Sequence, residues 1–265
     1  MTAIKTGSRR PRLDKLPISL AVEALSWVDS GGKIRTAAAD SRASALGLEK
    51  ARAARESANY PGRPNHPGYY WCAGTGALVR YESWTEYLAL MWLDHMYAIR
   101  AISSQPMCLH FLDGSHHFPD FFAVYESGSQ LLIDVHPEEE TTEDDMETFR
   151  KTEFLCDRIG WDYLLFTGLS KTLSNNLEWI AAYRHGRYLP PPEVTLNLQA
   201  FLQEPHSLRD TGLWVGSGDA SAMIHSLYSL MWHRFVLFDQ EQPLTWSTIL
   251  HCEAPVEMSE SEALE

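Results

Sequence analysis

Positive charge is what this 265-residue chain has least of: 22 lysines and arginines stand against 35 aspartates and glutamates, a formal net charge of −13. DNA affinity comes mainly from neutralised phosphates, so a chain this acidic is not expected to hold DNA tightly by itself. Cysteine is scarcer still. Cys72, Cys108, Cys156 and Cys252 are far apart with no paired spacing, which argues against a zinc site and a disulfide framework. A reducing, cytoplasmic compartment fits. No apolar run approaches the ~20 residues that span a bilayer. The stretch from Leu16 to Val22, behind the basic Arg9-Arg10-Pro11-Arg12, is interrupted by Glu23 with no clear cleavage site. Neither a membrane partner nor a signal peptide is expected.

The chain does have enough apolar residues for a substantial core: 45% are hydrophobic and 22% charged, over a length that suits one large domain or two smaller ones. Charge is unevenly placed. Residues 1–66 carry 12 Lys+Arg against 6 Asp+Glu, leaving 10 against 29 for the remainder. Any contact with a nucleic-acid backbone is therefore expected from the basic N-terminal part or through a basic partner.

Residues 1–15 read as a flexible basic arm. A hairpin is expected where Asp29-Ser30-Gly31-Gly32 separates Ala24-Leu25-Ser26-Trp27-Val28 from Lys33-Ile34-Arg35. The alanine-rich segment from Ser41 to Glu56 favours a helix, with its arginines on a solvated face. A Pro/Gly-rich loop, residues 60–68, leads to a second hairpin around Ala73-Gly74-Thr75-Gly76. That Gly-Thr-Gly lacks the third glycine of a dinucleotide site and reads as turn chemistry.

The residues that carry chemistry follow. Trp84, Leu88, Met91 and Trp92 recur at helical spacing, and Ser83-Trp84-Thr85-Glu86 fits a capping box in which Glu86 reaches back to the Ser83 amide. Pro119 and Asp120 precede Phe121-Phe122-Ala123-Val124, the start of a strand, since proline is tolerated at a strand's first residue. Glu126-Ser127-Gly128-Ser129 then turns the chain into Leu131-Leu132-Ile133-Asp134-Val135-His136. Asp134 and His136, two apart on a strand, meet one cavity while Ile133 and Val135 face the core. A carboxylate inside so apolar a run is costly unless paired or bound to metal, so Asp134 reads as cavity lining. Asp120 alone suits a turn former, and His117 a hydrogen-bonded strand histidine. Together, Glu86, Asp120, Asp134 and a neighbouring basic residue have the order and spacing of a Mg²⁺-dependent nuclease, whose ion needs hard oxygen ligands.

The acidic block from Glu138 to Asp145 reads as solvated loop. Met146, Phe149, Phe154, Leu155 and Ile159 predict a helix ended by Gly160, followed by a short buried strand, Tyr163-Leu164-Leu165-Phe166. Strands and helices in this order favour an α/β core, residues 16–168. Beyond residue 169 two helices are expected, Val194 to Gln203 and Ala220 to Phe235. They surround the turn residues Gly212, Gly216 and Gly218, and a small hairpin joins Val236-Leu237-Phe238 to Gln242-Pro243-Leu244. Residues 169–252 are thus compatible with a winged helix, and since they lack a basic recognition face they are assigned to partner binding. The acidic tail, residues 253–265, is expected to be disordered. Gly216-Ser217-Gly218 lacks the elbow of a serine hydrolase.

Several motifs in order resemble the TnsA-like endonuclease subunit of heteromeric transposases. They are Tyr81-Glu82-Ser83-Trp84-Thr85-Glu86, Leu93-Asp94, Ser104-Gln105-Pro106, His117-Phe118-Pro119-Asp120-Phe121 and Ile133-Asp134-Val135-His136-Pro137. Gly160-Trp161-Asp162-Tyr163 and Asn176-Leu177-Glu178-Trp179-Ile180-Ala181-Ala182-Tyr183-Arg184-His185 extend the likeness, which covers most of residues 67–190. The resemblance implies a restriction-endonuclease-like, PD-(D/E)xK-type nuclease that hydrolyses the 5′ ends of a transposon. Its implied partners are the transposon-end DNA, a DDE-type transposase subunit that cuts the 3′ ends, and an ATPase regulator. By position Glu86, Asp120 and Asp134 would be ligands of Mg²⁺, or of Mn²⁺, and His136 stands where the wider family has a lysine. An ammonium is a point charge, whereas imidazole is mostly neutral at neutral pH. The alternative expectation is a non-catalytic adaptor that keeps the nuclease fold and bridges the transposase and the regulator.

Overall fold

The computed structural model describes residues 13–15, 23–55 and 67–252. The arm up to Arg12, nearly all of the 60–68 loop and the tail from Glu253 fall outside them. Leu13–Lys15, the end of the expected arm, forms a short 3₁₀ turn with Leu13 buried. The chain divides into two compact units, Met1–Gly168 and Leu169–Glu265. It is a mixed α/β protein with several sheets and, among the described residues, six α-helices.

In the first unit, β1 (Ala24–Val28) and β2 (Ile34–Ala38) form the expected hairpin, closed by Gly32 at φ 84° and by Asp29, whose carboxylate accepts the Lys33 amide at 2.9 Å. β1 also pairs with β6 (Cys108–His110), which pairs with β7 (His116–His117), giving the sheet order β2-β1-β6-β7. β3 (Gly68–Cys72) and β4 (Ala77–Tyr81) form the second hairpin. α1 (Trp84–Met96) follows directly, its first turn capped by Ser83.

The sheet that carries the candidate site is β10-β9-β8-β5, from β5 (Ile99–Ser104), β8 (Phe121–Tyr125), β9 (Gln130–Val135) and β10 (Asp162–Phe166). The β8–β9 hairpin is antiparallel and turns at Gly128, φ 91°; β10 runs parallel to β9 after the crossover helix α2 (Glu143–Ile159). Alternate residues point to opposite faces. Phe122, Val124 and Leu132 join Leu155, Cys156 and Ile159 of α2 in one core. Phe121, Ala123, Leu131 and Ile133 face the other way and are equally buried. With both faces covered, the strands read as unbroken apolar runs rather than alternating ones. Of the two side chains expected to face the core, Ile133 is buried and Val135 is half-buried. In β10, only Phe166 is fully buried, short of the buried strand expected there.

Three local expectations need correction. The alanine-rich segment forms no α-helix but two short 3₁₀ helices, Ser41–Ala45 and Leu48–Lys50. Gly47 at φ 68° separates them, and Ala43 and Leu48 are drawn individually into the core, so tertiary burial overrides propensity. The acidic block is not all loop: Glu138–Glu140 is a 3₁₀ turn, and Glu143, Asp144 and Asp145 make the first turn of α2. A Thr142–Asp145 capping box starts that helix, and carboxylates are favoured at a helix N-terminus. Glu86 does accept a backbone N–H, but that of Glu82 at 2.8 Å rather than that of Ser83.

The second unit is mostly helical: α3 (Lys171–Ala181), α4 (Pro192–Phe201), α5 (Leu208–Val215) and α6 (Ile224–Trp232). Only α4 and α6 were expected. Gly212 lies inside α5 rather than in a turn, because a Cβ there would sit 2.7 Å from the Ala220 carbonyl oxygen and only glycine permits that approach. The expected hairpin of residues 236–244 is absent. Its place is taken by two-residue strands, β11 (His206–Ser207) and β12 (Ile249–Leu250), and by a bridge from Leu237 to His251. Residues 240–244 instead wrap Asn176 of α3, whose amide nitrogen donates to the Gln240 and Gln242 carbonyls, while its oxygen accepts from the Leu244 N–H.

Asp94, in the Leu93-Asp94 motif, is a structural carboxylate. It is buried and accepts the Tyr70 hydroxyl at 2.8 Å, the Ala73 and Gly74 amides at 2.8 Å each, and the Cys72 thiol at 3.2 Å. It thereby ties the β3–β4 turn to α1. Asp94→Ala strands these buried donors and is expected to lower unfolding stability by about 2–4 kcal/mol in a denaturant titration. A loss within the range of ordinary surface substitutions would contradict this role.

Candidate metal centre

The β8–β9 hairpin makes the site. Its register pairs Phe121 with Ile133, so the next residues outward, Asp120 and Asp134, meet at the open end of the hairpin. Both line a cleft of about 420 Å³, together with Arg55, His116, His117, Phe118, Val135, His136, Asp145, Thr148 and Phe149. A larger cavity of about 500 Å³ in residues 169–252 is walled by Trp179, Tyr228, Pro243 and Trp246 and holds no carboxylate or histidine. The chemistry lies with the smaller cleft.

Asp134 is 1% exposed and fully engaged: Oδ1 is 2.8 Å from His117 Nε2, and Oδ2 accepts the Tyr163 hydroxyl at 2.8 Å. Burial and the Asp134 charge push the Tyr163 phenol up, so it remains a donor. Asp120 Oδ2 accepts the Val135 amide at 2.8 Å. Even so, burial first, then the charges of Asp134 and Glu86, raise its carboxyl to about 7.

Glu86 reaches the site through charge rather than by lining the cleft. Its Oε2 holds the Glu82 amide and its Oε1 accepts the Ser83 hydroxyl at 3.2 Å. Burial raises its carboxyl, the charge of Glu82 adds to that, and the Glu82 amide bond opposes it. His136 follows β9 and turns toward α2. Its ring lies 5.6 Å from that of Phe149, and its Nε2 sits 3.6 Å from Asp145 Oδ2, within ion-pair range but beyond a hydrogen bond.

The structure therefore gathers Asp120, Asp134 and His136 into one cleft and leaves Glu86 committed to capping α1. Among the described residues, no three His, Cys, Asp or Glu side chains form a preformed metal-holding group. The donor set still suits a hard divalent cation, because two carboxylates crowd together and one of them, Asp120, is driven toward protonation by burial first and then by the other's charge. His117, Tyr163 and Arg55 are absent from the expected site. Sequence periodicity could not have found them: His117 is on β7 of the other sheet, Tyr163 on β10 and Arg55 on a loop, and the first two each reach Asp134 from a different chain segment. No protein-family model and no curated protein matches the chain.

The Asp120 carboxyl lies above its ordinary value of 3.8, so between about 4 and about 7 the folded protein binds the extra proton. Without divalent ions, stability is expected to fall as pH rises through that window, by on the order of a few kcal/mol. Asp120→Asn should flatten the dependence. Unfolding curves for both proteins across this range test it, and parallel pH profiles would refute the coupling.

Proposed function

We propose that this chain is the metal-dependent endodeoxyribonuclease subunit of a heteromeric transposase. It would have a restriction-endonuclease-like nuclease domain, residues 16–168, and a winged-helix-like partner-binding domain, residues 169–252. The observation that carries the reading is the Asp120–Asp134 pair at the end of the β8–β9 hairpin, with the Asp120 carboxyl raised by burial first and then by the charges of Asp134 and Glu86. A Mg²⁺ or Mn²⁺ ion held by these carboxylates would supply Lewis acidity and a more acidic bound water. Arg55, on the cleft wall, offers a guanidinium to a phosphate oxygen. His136 lines the same cleft with no hydrogen-bond partner at Nε2, and would be the group to take a proton from the attacking water.

The acidity of the chain supports a division of labour in which a DDE-type transposase brings transposon-end DNA to this cytoplasmic subunit and an ATPase regulator controls the assembly. In residues 169–252 the cavity walled by Trp179, Tyr228 and Trp246 supports protein binding over base readout, since aromatic side chains are enriched at interfaces. A second reading, a non-catalytic adaptor with the nuclease fold, is favoured by one observation: His136 faces Asp145, an arrangement that suits a structural ion pair as well as proton transfer.

The test is strand-resolved 5′-end cleavage with the partner transposase's own catalytic carboxylates removed. Wild type is expected to cut, Asp120→Ala and Asp134→Ala to lose cutting, and His136→Lys to retain or raise it. His136→Ala should cut poorly. No cutting by any version in an assembled complex would favour the adaptor, and undiminished cutting by His136→Ala would remove histidine from the mechanism.

A further inference from the structure

Three histidines line the cleft beside Asp120 and Asp134, and each is used differently. His116 is exposed, its ring edge-to-face with Phe118 at 5.9 Å, and His136 Nε2 faces Asp145 at 3.6 Å. Among the described residues, His117 alone brings an imidazole nitrogen to either aspartate: its Nε2 lies 2.8 Å from Asp134 Oδ1. The ring is half-buried and braced edge-to-face by Phe149 of α2, with 6.3 Å between ring centres.

The chain places it there for a local reason. His117 ends β7, which pairs with β6 in the other sheet, and only Phe118 and Pro119 separate it from Asp120. That short link carries the chain to the head of β8, so an imidazole and a carboxylate reach the cleft from one segment. Glu86, by contrast, holds the Glu82 amide and the Ser83 hydroxyl and does not line the cleft. The aspartate pair thus has a nitrogen donor beside it where a third carboxylate was expected. On Asp120, the Val135 amide takes Oδ2, and Oδ1 has no hydrogen-bond partner among the described residues.

We propose that His117 is the third protein ligand of the divalent cation taken up by Asp120 and Asp134, and that this mixed nitrogen and oxygen set selects a first-row transition ion such as Mn²⁺ over Mg²⁺. The inference rests on the metal-site reading above. A ring nitrogen and a carboxylate oxygen 2.8 Å apart share one proton. A ligating imidazole nitrogen must give that proton up, to Nδ1 or to solvent, and the ion takes its place. In the ion-free fold the two donors are turned to each other, in keeping with the absence of a preformed metal-holding group among the described residues. Mg²⁺ is a hard ion that takes oxygen, whereas imidazole suits transition ions.

The experiment loads Mn²⁺ above the Asp120 titration into wild type, His117→Gln, His136→Gln and Asp120→Asn. Pulsed electron paramagnetic resonance reads any directly bonded imidazole nitrogen, and calorimetry reads affinity. His117→Gln keeps an N–H donor for Asp134 and removes the ring nitrogen. The nitrogen coupling is expected in wild type and His136→Gln and lost in His117→Gln, which should also bind Mn²⁺ more weakly by about tenfold or more and show a smaller preference for Mn²⁺ over Mg²⁺. A wild-type Mn²⁺ complex without nitrogen coupling, or coupling that survives in His117→Gln, overturns the role of His117 and leaves the carboxylate site standing. Wild type that takes up no Mn²⁺, or takes it up equally as Asp120→Asn, overturns the metal-site reading itself. If His117→Gln does not fold, the other two spectra decide: no coupling in wild type, or coupling lost in His136→Gln, counts against the inference.

Discussion

The interaction on which the account turns is the repulsion between two carboxylates that the chain cannot separate. Phe122, Val124 and Leu132 are locked into a core with α2, and Phe121, Ala123, Leu131 and Ile133 into the opposite face. Slipping the β8–β9 register by one residue would turn every one of these side chains to the wrong face. The packing that fixes the register therefore also fixes Asp120 beside Asp134. The local answer to that repulsion is partial: Asp134 is held by His117 and Tyr163, and Asp120 by one backbone amide and a tendency to keep its proton. In the proposed function a divalent cation would satisfy both ionised groups.

Elements whose pattern is local were legible in the sequence. The β1–β2, β3–β4 and β8–β9 hairpins are marked by glycine-bearing turns between apolar runs, and α1 and α2 by helical spacing with a cap or a terminal Gly160. The misses share a different cause. Ala43 and Leu48 are buried one at a time, so a segment of high helix propensity becomes two 3₁₀ turns. α3 is anchored by Asn176 to a loop more than sixty residues away, and Gly212 is helical because of its contact with Ala220. Such long-range contacts leave no periodic trace.

The candidate site divides the same way. Asp134 inside an apolar run and Asp120 behind proline were readable as a strand pair meeting at a cavity, because period-two alternation and one turn suffice to bring them together. His117 and Tyr163 were not readable as members of that site, since Tyr163 comes from another strand and His117 from a strand of the other sheet, and both join it only through the tertiary fold. His136 was expected beside the carboxylates and does share their cleft, but its ring turns toward Phe149 and Asp145 of α2. That orientation depends on where the crossover helix lies, which its own dipeptide context does not encode.

The most direct measurement is the anomalous scattering of Mn²⁺ from crystals of the protein grown with that ion. The account predicts a peak between the carboxylates of Asp120 and Asp134, which disappears in Asp120→Ala. A protein saturated with Mn²⁺ whose only peaks lie elsewhere, for example on the acidic first turn of α2, would contradict it.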